Sequence, residues 1–256
     1  MNYYNCRIAF NTNCLNLMYE NSFMKIEKIH NKGQARLFRS NHLEYFTKTH
    51  PLVIWGIYLP LIIFLLYYSY SVKNISPLSL LLSFVVGILF WTLFEYFIHR
   101  YVFHFMAESE RAKKIVYILH GNHHGYPRDR ERLFMPPVPS LIIASFVFCV
   151  MFFVSKVFGV NEYVFSFFAG FILGYLIYGS MHYAIHAFTP PFKWMKPLWR
   201  NHHLHHYKQQ EKGFGVSSTL WDHVFGTMFD LKKEKEDKMK VSELMFTAPK
   251  SPAPNL

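Results

Sequence analysis

Four blocks of the chain are almost free of polar positions: about 51–71 (PLVIWGIYLPLIIFLLYYSYS), 78–98 (LSLLLSFVVGILFWTLFEYFI), 138–158 (VPSLIIASFVFCVMFFVSKVF) and 163–186. Each has the roughly 20 residues that a helix needs to cross a bilayer. Buried helices of a water-soluble protein keep a polar stripe, and these keep almost none. The links SVKNISP and GVNE are short, so the blocks pair into two helical hairpins, with Pro60 placed to kink the first span. The expected fold is an all-α integral membrane protein with four transmembrane helices in two hairpins.

Charge orients these hairpins. Before the first span stand Lys25, Lys28, Lys32, Arg36, Arg39 and Lys48. Between the hairpins stand Arg100, Arg111, Lys113, Lys114, Arg128, Arg130 and Arg132, and the C-terminal region is rich in lysine. Both short turns are poor in positive charge, so the positive-inside rule places the N-terminus, the central loop and the C-terminal region on the cytoplasmic side. That side faces the cytoplasm from a bacterial inner membrane, or from the endoplasmic reticulum in a eukaryote.

Composition agrees: 52% of the residues are hydrophobic, 19% aromatic and only 17% charged. The net charge of +11 could suit nucleic acid, but no nucleic-acid motif interleaves the basic residues, and no such partner is expected. Cys6, Cys14 and Cys149 are too few and too scattered for a disulfide framework or a metal clip. Residues 1–32 form a polar N-terminal segment without the plan of a signal peptide, and Met24 is a natural alternative start. Residues 232–256 form a charged C-terminal tail.

The polar positions that remain are unusual in kind. Residues 200–207 read RNHHLHHY, with His202, His203, His205 and His206 within five positions. A tag-like tract would sit at a terminus and would not be echoed. Here the first hairpin ends in HRYVFH (His99, His104), followed after fifteen residues by HGNHH (His120, His123, His124). The second ends in HYAIH (His182, His186), again followed after fifteen residues by the 202–206 cluster. All these histidines lie on the side expected to be cytoplasmic.

Helical spacing says which imidazoles converge. His182 and His186 (i, i+4) share a face, as do His120, His123 and His124 (i, i+3, i+4). His99 and His104 are about 140° apart on an ideal helix, so they reach one centre only if the helix ends, loosens or bulges between them. The H-x-x-H-H pattern of the first half selects His202, His205 and His206 in the second and leaves His203 off the pattern. Five ligands per half make ten, more than one octahedral ion accepts, so the natural count is two metals. Imidazole suits zinc, iron, copper and nickel alike. His30, His42, His50 and His223 read as ordinary polar residues.

At these residues the chain resembles the membrane fatty acid hydroxylase superfamily, which includes sterol desaturases and C4-methyl oxidases, and most closely its fatty acid 2-hydroxylase branch. The similarity covers about 33–231 and includes HHGYPRDRERLFMPP at 123–137 and GFGVSSTLWDHVFGT at 213–227. It implies four membrane helices under a cytoplasmic helical cap that holds a dinuclear metal site. The implied ligands are His99, His104, His120, His123, His124, His182, His186, His202, His205 and His206, with no catalytic group beyond them. The implied cofactors are two iron ions, with zinc able to compete on isolation, and O2. The implied reaction is hydroxylation of a lipid acyl chain, at C2 of a sphingolipid or ceramide-type lipid. Asp129, Arg132, Tyr207 and Asp222 are candidates to orient the ligands.

Two departures from the family pattern stand out. Gly179 occupies a position, three before His182, where relatives often carry an acidic residue. About fifty residues before the first span are too few for the cytochrome b5 domain that many members carry, so electrons would come from a separate donor such as cytochrome b5 or ferredoxin. Sterol methyl oxidation, desaturation and carotenoid hydroxylation are rival reactions on the same scaffold. A non-catalytic metal-handling protein is a further alternative, although a transporter would string its ligands through the bilayer rather than gather them at one side.

Overall fold

A computed structural model describes residues 29–230. The expectations for residues 1–28 and for the tail after 231, including Met24, Cys6 and Cys14, lie outside the described residues. All regular elements among the described residues are helical. A short helix, α1 (Asn41–Tyr45), precedes the spans α2 (Pro51–Ser71) and α3 (Pro77–Phe97). The central segment holds α4 (Glu110–Val116) and α5 (Asn122–Gly125). The spans α6 (Pro137–Val157) and α7 (Val164–Ala187) follow, then α8 (Lys196–Tyr207) and α9 (Leu220–Val224).

The four long helices fall within a residue of the expected spans, and local chemistry sets their starts. Proline stands at the first turn of α2, α3 and α6, where its missing N–H costs no bond. His50 and Ser76 supply side-chain caps, accepting from Leu52 N at 3.2 Å and Ser79 N at 3.2 Å. Helix α2 runs unbroken through Pro60. Leu59, Ile63, Phe64 and Tyr67 of α2 are exposed, as are Leu81, Leu82, Val85, Val86 and Leu89 of α3 and Ile142, Phe146 and Phe153 of α6. Apolar surface on this scale is the lipid-facing side of a multi-pass membrane protein.

The helices are joined as two hairpins but pack across them. The closest partner of α3 is α7, and α2 also lies along α7, which is the most buried of the four. Glycine allows this approach. A Cβ on Gly170 would sit 1.9 Å from the Phe84 carbonyl oxygen, and one on Gly87 2.0 Å from that of Phe167. Between spans, where lipid competes equally for apolar surface, such close packing and interhelical hydrogen bonds supply the association. Such bonds include Ser83 Oγ to Ser166 Oγ at 2.6 Å, Tyr58 OH to Ser140 Oγ at 2.7 Å and Trp55 Nε1 to Ser180 Oγ at 3.0 Å.

Helices α3 and α7 run in the same direction, and both end beneath the cap formed by α4, α5, α8, α9 and their loops. Residues 34–49 are tied to the central loop at this end. Arg132 pairs with Asp129 at 2.5 Å and with Glu44, Lys48 pairs with Glu131 at 2.8 Å, and Thr49 N donates to the Glu131 carbonyl at 2.8 Å.

Candidate metal centre

The end of α3 solves the geometric problem posed by His99 and His104. From Ile98 to Phe103 the α-helix becomes a π-helix, and His104 N donates to the His99 carbonyl at 3.2 Å, the i→i+5 bond of that form. Residues five apart then stack on one side. A second π-helix, Tyr117–Gly121, follows α4 and carries His120; Asn122 Nδ2 braces it by donating to the carbonyls of Tyr117 at 3.1 Å and Ile118 at 2.8 Å.

The ten histidines gather into two groups of five, the candidate ligand atoms of each within 4.8 Å of one another. The first group is His99, His104, His120, His124 and His205; the second is His123, His182, His186, His202 and His206. Neither group belongs to one half of the chain. The middle histidine of each H-x-x-H-H triplet crosses over: His123 joins the second group and His205 the first. His203 lies in neither; its Nδ1 donates to the Trp199 carbonyl at 2.7 Å and its ring stacks on Tyr207.

Imidazole nitrogens approach one another closely within each group. His120 Nε2 lies 3.1 Å from His99 Nε2 and 3.0 Å from His124 Nε2. His202 Nε2 lies 2.9 Å from His186 Nε2 and 3.1 Å from His206 Nε2, and His182 Nε2 lies 2.8 Å from His123 Nε2. One Nε2 has either one hydrogen or one in-plane lone pair, so the two contacts of His120, like the two of His202, cannot both be linear hydrogen bonds. A cation explains both. With metal–nitrogen bonds of about 2.0–2.1 Å, two ligands at right angles stand about 2.9 Å apart. His104 Nε2 and His205 Nε2 are buried without a hydrogen-bond partner, as ligand lone pairs would be.

Electrostatics favour the neutral, metal-binding form. Outside the spans, burial first and neighbouring imidazoles second hold His104, His120, His123, His124, His202, His205 and His206 well below the ordinary histidine value. Burial lowers His203 to about 4. Two tautomers are fixed from behind: His99 Nδ1 donates to the Phe214 carbonyl at 2.6 Å and His205 Nδ1 to the Lys212 carbonyl at 2.7 Å, which leaves each Nε2 free to ligate.

The candidate orienting residues fall in different places. Asp222 is fully buried and accepts from Phe214 N at 2.9 Å, Gly215 N at 2.9 Å, Thr227 Oγ1 at 2.8 Å and Asn201 Nδ2 at 3.2 Å. Tyr207 stacks on His203 and donates its hydroxyl to Asn31 Oδ1 at 2.8 Å. Asp129 and Arg132 bond to each other and to residues 34–47, and no hydrogen bond among the described residues joins either to a grouped histidine. Gly179 makes room for the Phe134 ring, whose Cε1 would lie 2.3 Å from an added Cβ. His30, His42, His50 and His223 stand apart from both groups, His30 stacked on Tyr126 and His223 bonded to the Thr219 carbonyl.

Sequence reasoning passed over Glu95, Phe214 and Lys212. The signal available for Glu95 was its place in a span four residues before His99, since an intramembrane carboxylate marks function by default. Phe214 and Lys212 act through backbone carbonyls, for which a side-chain pattern carries no signal.

A family model described as fatty acid hydroxylase matches residues 84–227, which take in all ten histidines. The chain belongs to the fatty acid hydroxylase family. Within this family it is similar to the ceramide very long chain fatty acid hydroxylase of Saccharomyces cerevisiae, 38% identical over 77% of this chain and 50% of that protein. It is also similar to a dihydroceramide fatty acyl 2-hydroxylase of Arabidopsis thaliana, 34% identical over 83% of this chain and 87% of that protein. Thus the chain spans about half the length of the yeast relative and most of the plant one. A solved structure of full-length scs7p, with only its hydroxylase domain visible, superposes with a TM-score of 0.70 at 36% identity, covering 77% of this chain and 73% of that one.

Proposed function

We propose that this fatty acid hydroxylase family member is a fatty acyl 2-hydroxylase that acts on a ceramide-type lipid through two iron ions. The single observation that carries the reading is the pair of five-imidazole groups at the ends of two membrane spans. Ten neutral nitrogen ligands of this arrangement suit late first-row metals, and the family and the names of the relatives favour iron and acyl 2-hydroxylation among the possible chemistries. Irons held there would supply O2 activation and the oxidant for a C–H bond.

The chain's own contribution is binding, orientation and exclusion of water. His99, His104, His120, His124 and His205 would hold one iron; His123, His182, His186, His202 and His206 would hold the other. The Phe214 and Lys212 carbonyls fix the His99 and His205 rings, so that Nε2 is the lone pair presented. Burial of eight of the ten rings, all but the partly buried His104 and His186, keeps bulk water from the centre. An acyl chain from the bilayer would reach the groups along the apolar ends of α3 and α7, where Trp91, Phe94, Phe171, Tyr175 and Tyr178 pack, with Tyr178 stacked on His182. The positive-inside pattern supports a cytoplasmic site, and electrons would come from a separate donor protein.

Expression with a competent reductase in a host that lacks this activity, under 18O2, tests the reading by mass spectrometry of total lipid. The expected product is amide-linked 2-hydroxy acyl chains carrying one 18O, absent in His182→Ala although that protein stays in the membrane. Oxidised sterol or carotenoid with unaltered acyl chains would contradict the substrate assignment.

A further inference from the structure

The cap loop 212–218 touches the first histidine group at several points. The Phe214 carbonyl accepts from His99 Nδ1 at 2.6 Å and the Lys212 carbonyl from His205 Nδ1 at 2.7 Å. The Phe214 ring meets the rings of His99, His104 and His205 edge-on at centroid distances of 5.7, 5.7 and 5.6 Å. Three of the five first-group histidines therefore take their orientation from this loop, which has no helix or strand of its own to hold it.

What holds the loop is a carboxylate in the end of a membrane span. Glu95, 4% exposed, accepts at Oε1 from Val216 N at 2.9 Å and Ser217 N at 2.8 Å, and at Oε2 from Ser217 Oγ at 2.5 Å and Trp91 Nε1 at 3.2 Å. Four donors converge on an acceptor-only group, so its hydrogen-bonding needs are met despite the cost of burial. Glu95 lies one helical turn before His99, on the same side of α3. The circuit is closed: one continuous helix, α3 and the Ile98–Phe103 π-helix that extends it, carries both the carboxylate and the ligand against which that carboxylate holds the loop.

We propose that Glu95 is a positioning residue for the first metal and not for the second. It acts through the backbone of Val216–Ser217, which sets the Phe214 carbonyl and ring. No hydrogen bond or ring contact among the described residues joins this loop to His123, His182, His186, His202 or His206; its link to their helices is the apolar packing of Val216 with Ile185, Trp199 and Leu204, so loss of the Glu95 bonds falls first on the first group. Asp222 also holds the loop but touches Asn201 of α8, beside His202, and is therefore less selective. Glu95→Gln keeps an oxygen for the two backbone N–H groups, whereas Glu95→Leu removes every acceptor.

The inference rests on the two-metal reading, and the wild-type control keeps the two apart. Purified full-length protein is loaded with Co(II), and metal loss to a chelator is followed by ligand-field absorption together with bound metal per chain. Wild type should release two Co(II), and fewer would count against the metal reading itself. Glu95→Leu should bind one of the two about 10–100-fold more weakly, the usual effect of removing a residue that orients a ligand, with the other unchanged; Glu95→Gln should restore most of the loss. Ser217→Ala, which alters the same contact from the loop side, should shift the same metal in the same direction by a smaller factor and serves if Glu95→Leu does not fold. Equal weakening of both metals, or no change in either in these variants, would overturn the proposal.

Discussion

His203 and His205 stand two positions apart on α8, both buried, yet they face different partners. His205 Nε2 points into the first group without a hydrogen-bond partner, while His203 Nδ1 is bonded to the helix's own backbone at Trp199. His205→Ala should abolish hydroxylated product and remove close to one metal per chain. His203→Ala should keep both metals and substantial activity, as checked by metal analysis beside the lipid assay. Equal losses would contradict the assignment. The separation of these two residues was legible in the sequence, because the first half repeats H-x-x-H-H and His203 breaks the repeat. Destination was not legible: spacing gives the face of a helix, but the crossing of His123 and His205 depends on how α5 and α8 lie against each other. The partners of Glu95 were hidden for a related reason, since they are backbone N–H groups 121 and 122 residues away.

Among the elements, the spans were the most legible part, because a run of about twenty apolar residues has few alternatives. The π-helices were legible only as a condition. His99 and His104 cannot share a face of an α-helix, so the helix had to end, loosen or bulge, and Ile98–Phe103 meets the condition by widening. Nothing in YILHG announced the second widening at Tyr117–Gly121. Helix pairing was misleading in one respect: short turns suggest that each hairpin packs on itself, whereas Gly87 and Gly170 draw α3 and α7 together across the hairpins. Gly170→Leu should therefore lower the melting temperature and yield of detergent-solubilised protein, since overpacking costs about 1–3 kcal/mol where neighbours can yield and more against the Phe84 backbone. Ser83→Ala, which removes only the hydroxyl pair with Ser166, should cost about 1 kcal/mol or less. A Gly170→Leu protein with unchanged melting would show that α3 and α7 do not make this contact.

Over the whole molecule, two spans that end side by side deliver one histidine pair each, and two cap segments close over them with three more apiece. That parallel arrangement is what lets a repeat in sequence become two exchanged groups in space, each completed by one residue from the other half. The central claim is that each group is the ligand set of one metal ion, and anomalous diffraction at the iron edge, on protein prepared from iron-replete cells, tests it most directly. Two peaks per chain are predicted, one bounded by His99, His104, His120, His124 and His205 and the other by His123, His182, His186, His202 and His206, with nitrogen at about 2.0–2.2 Å. A single peak, or two peaks each bounded by histidines from one half of the chain alone, would contradict it.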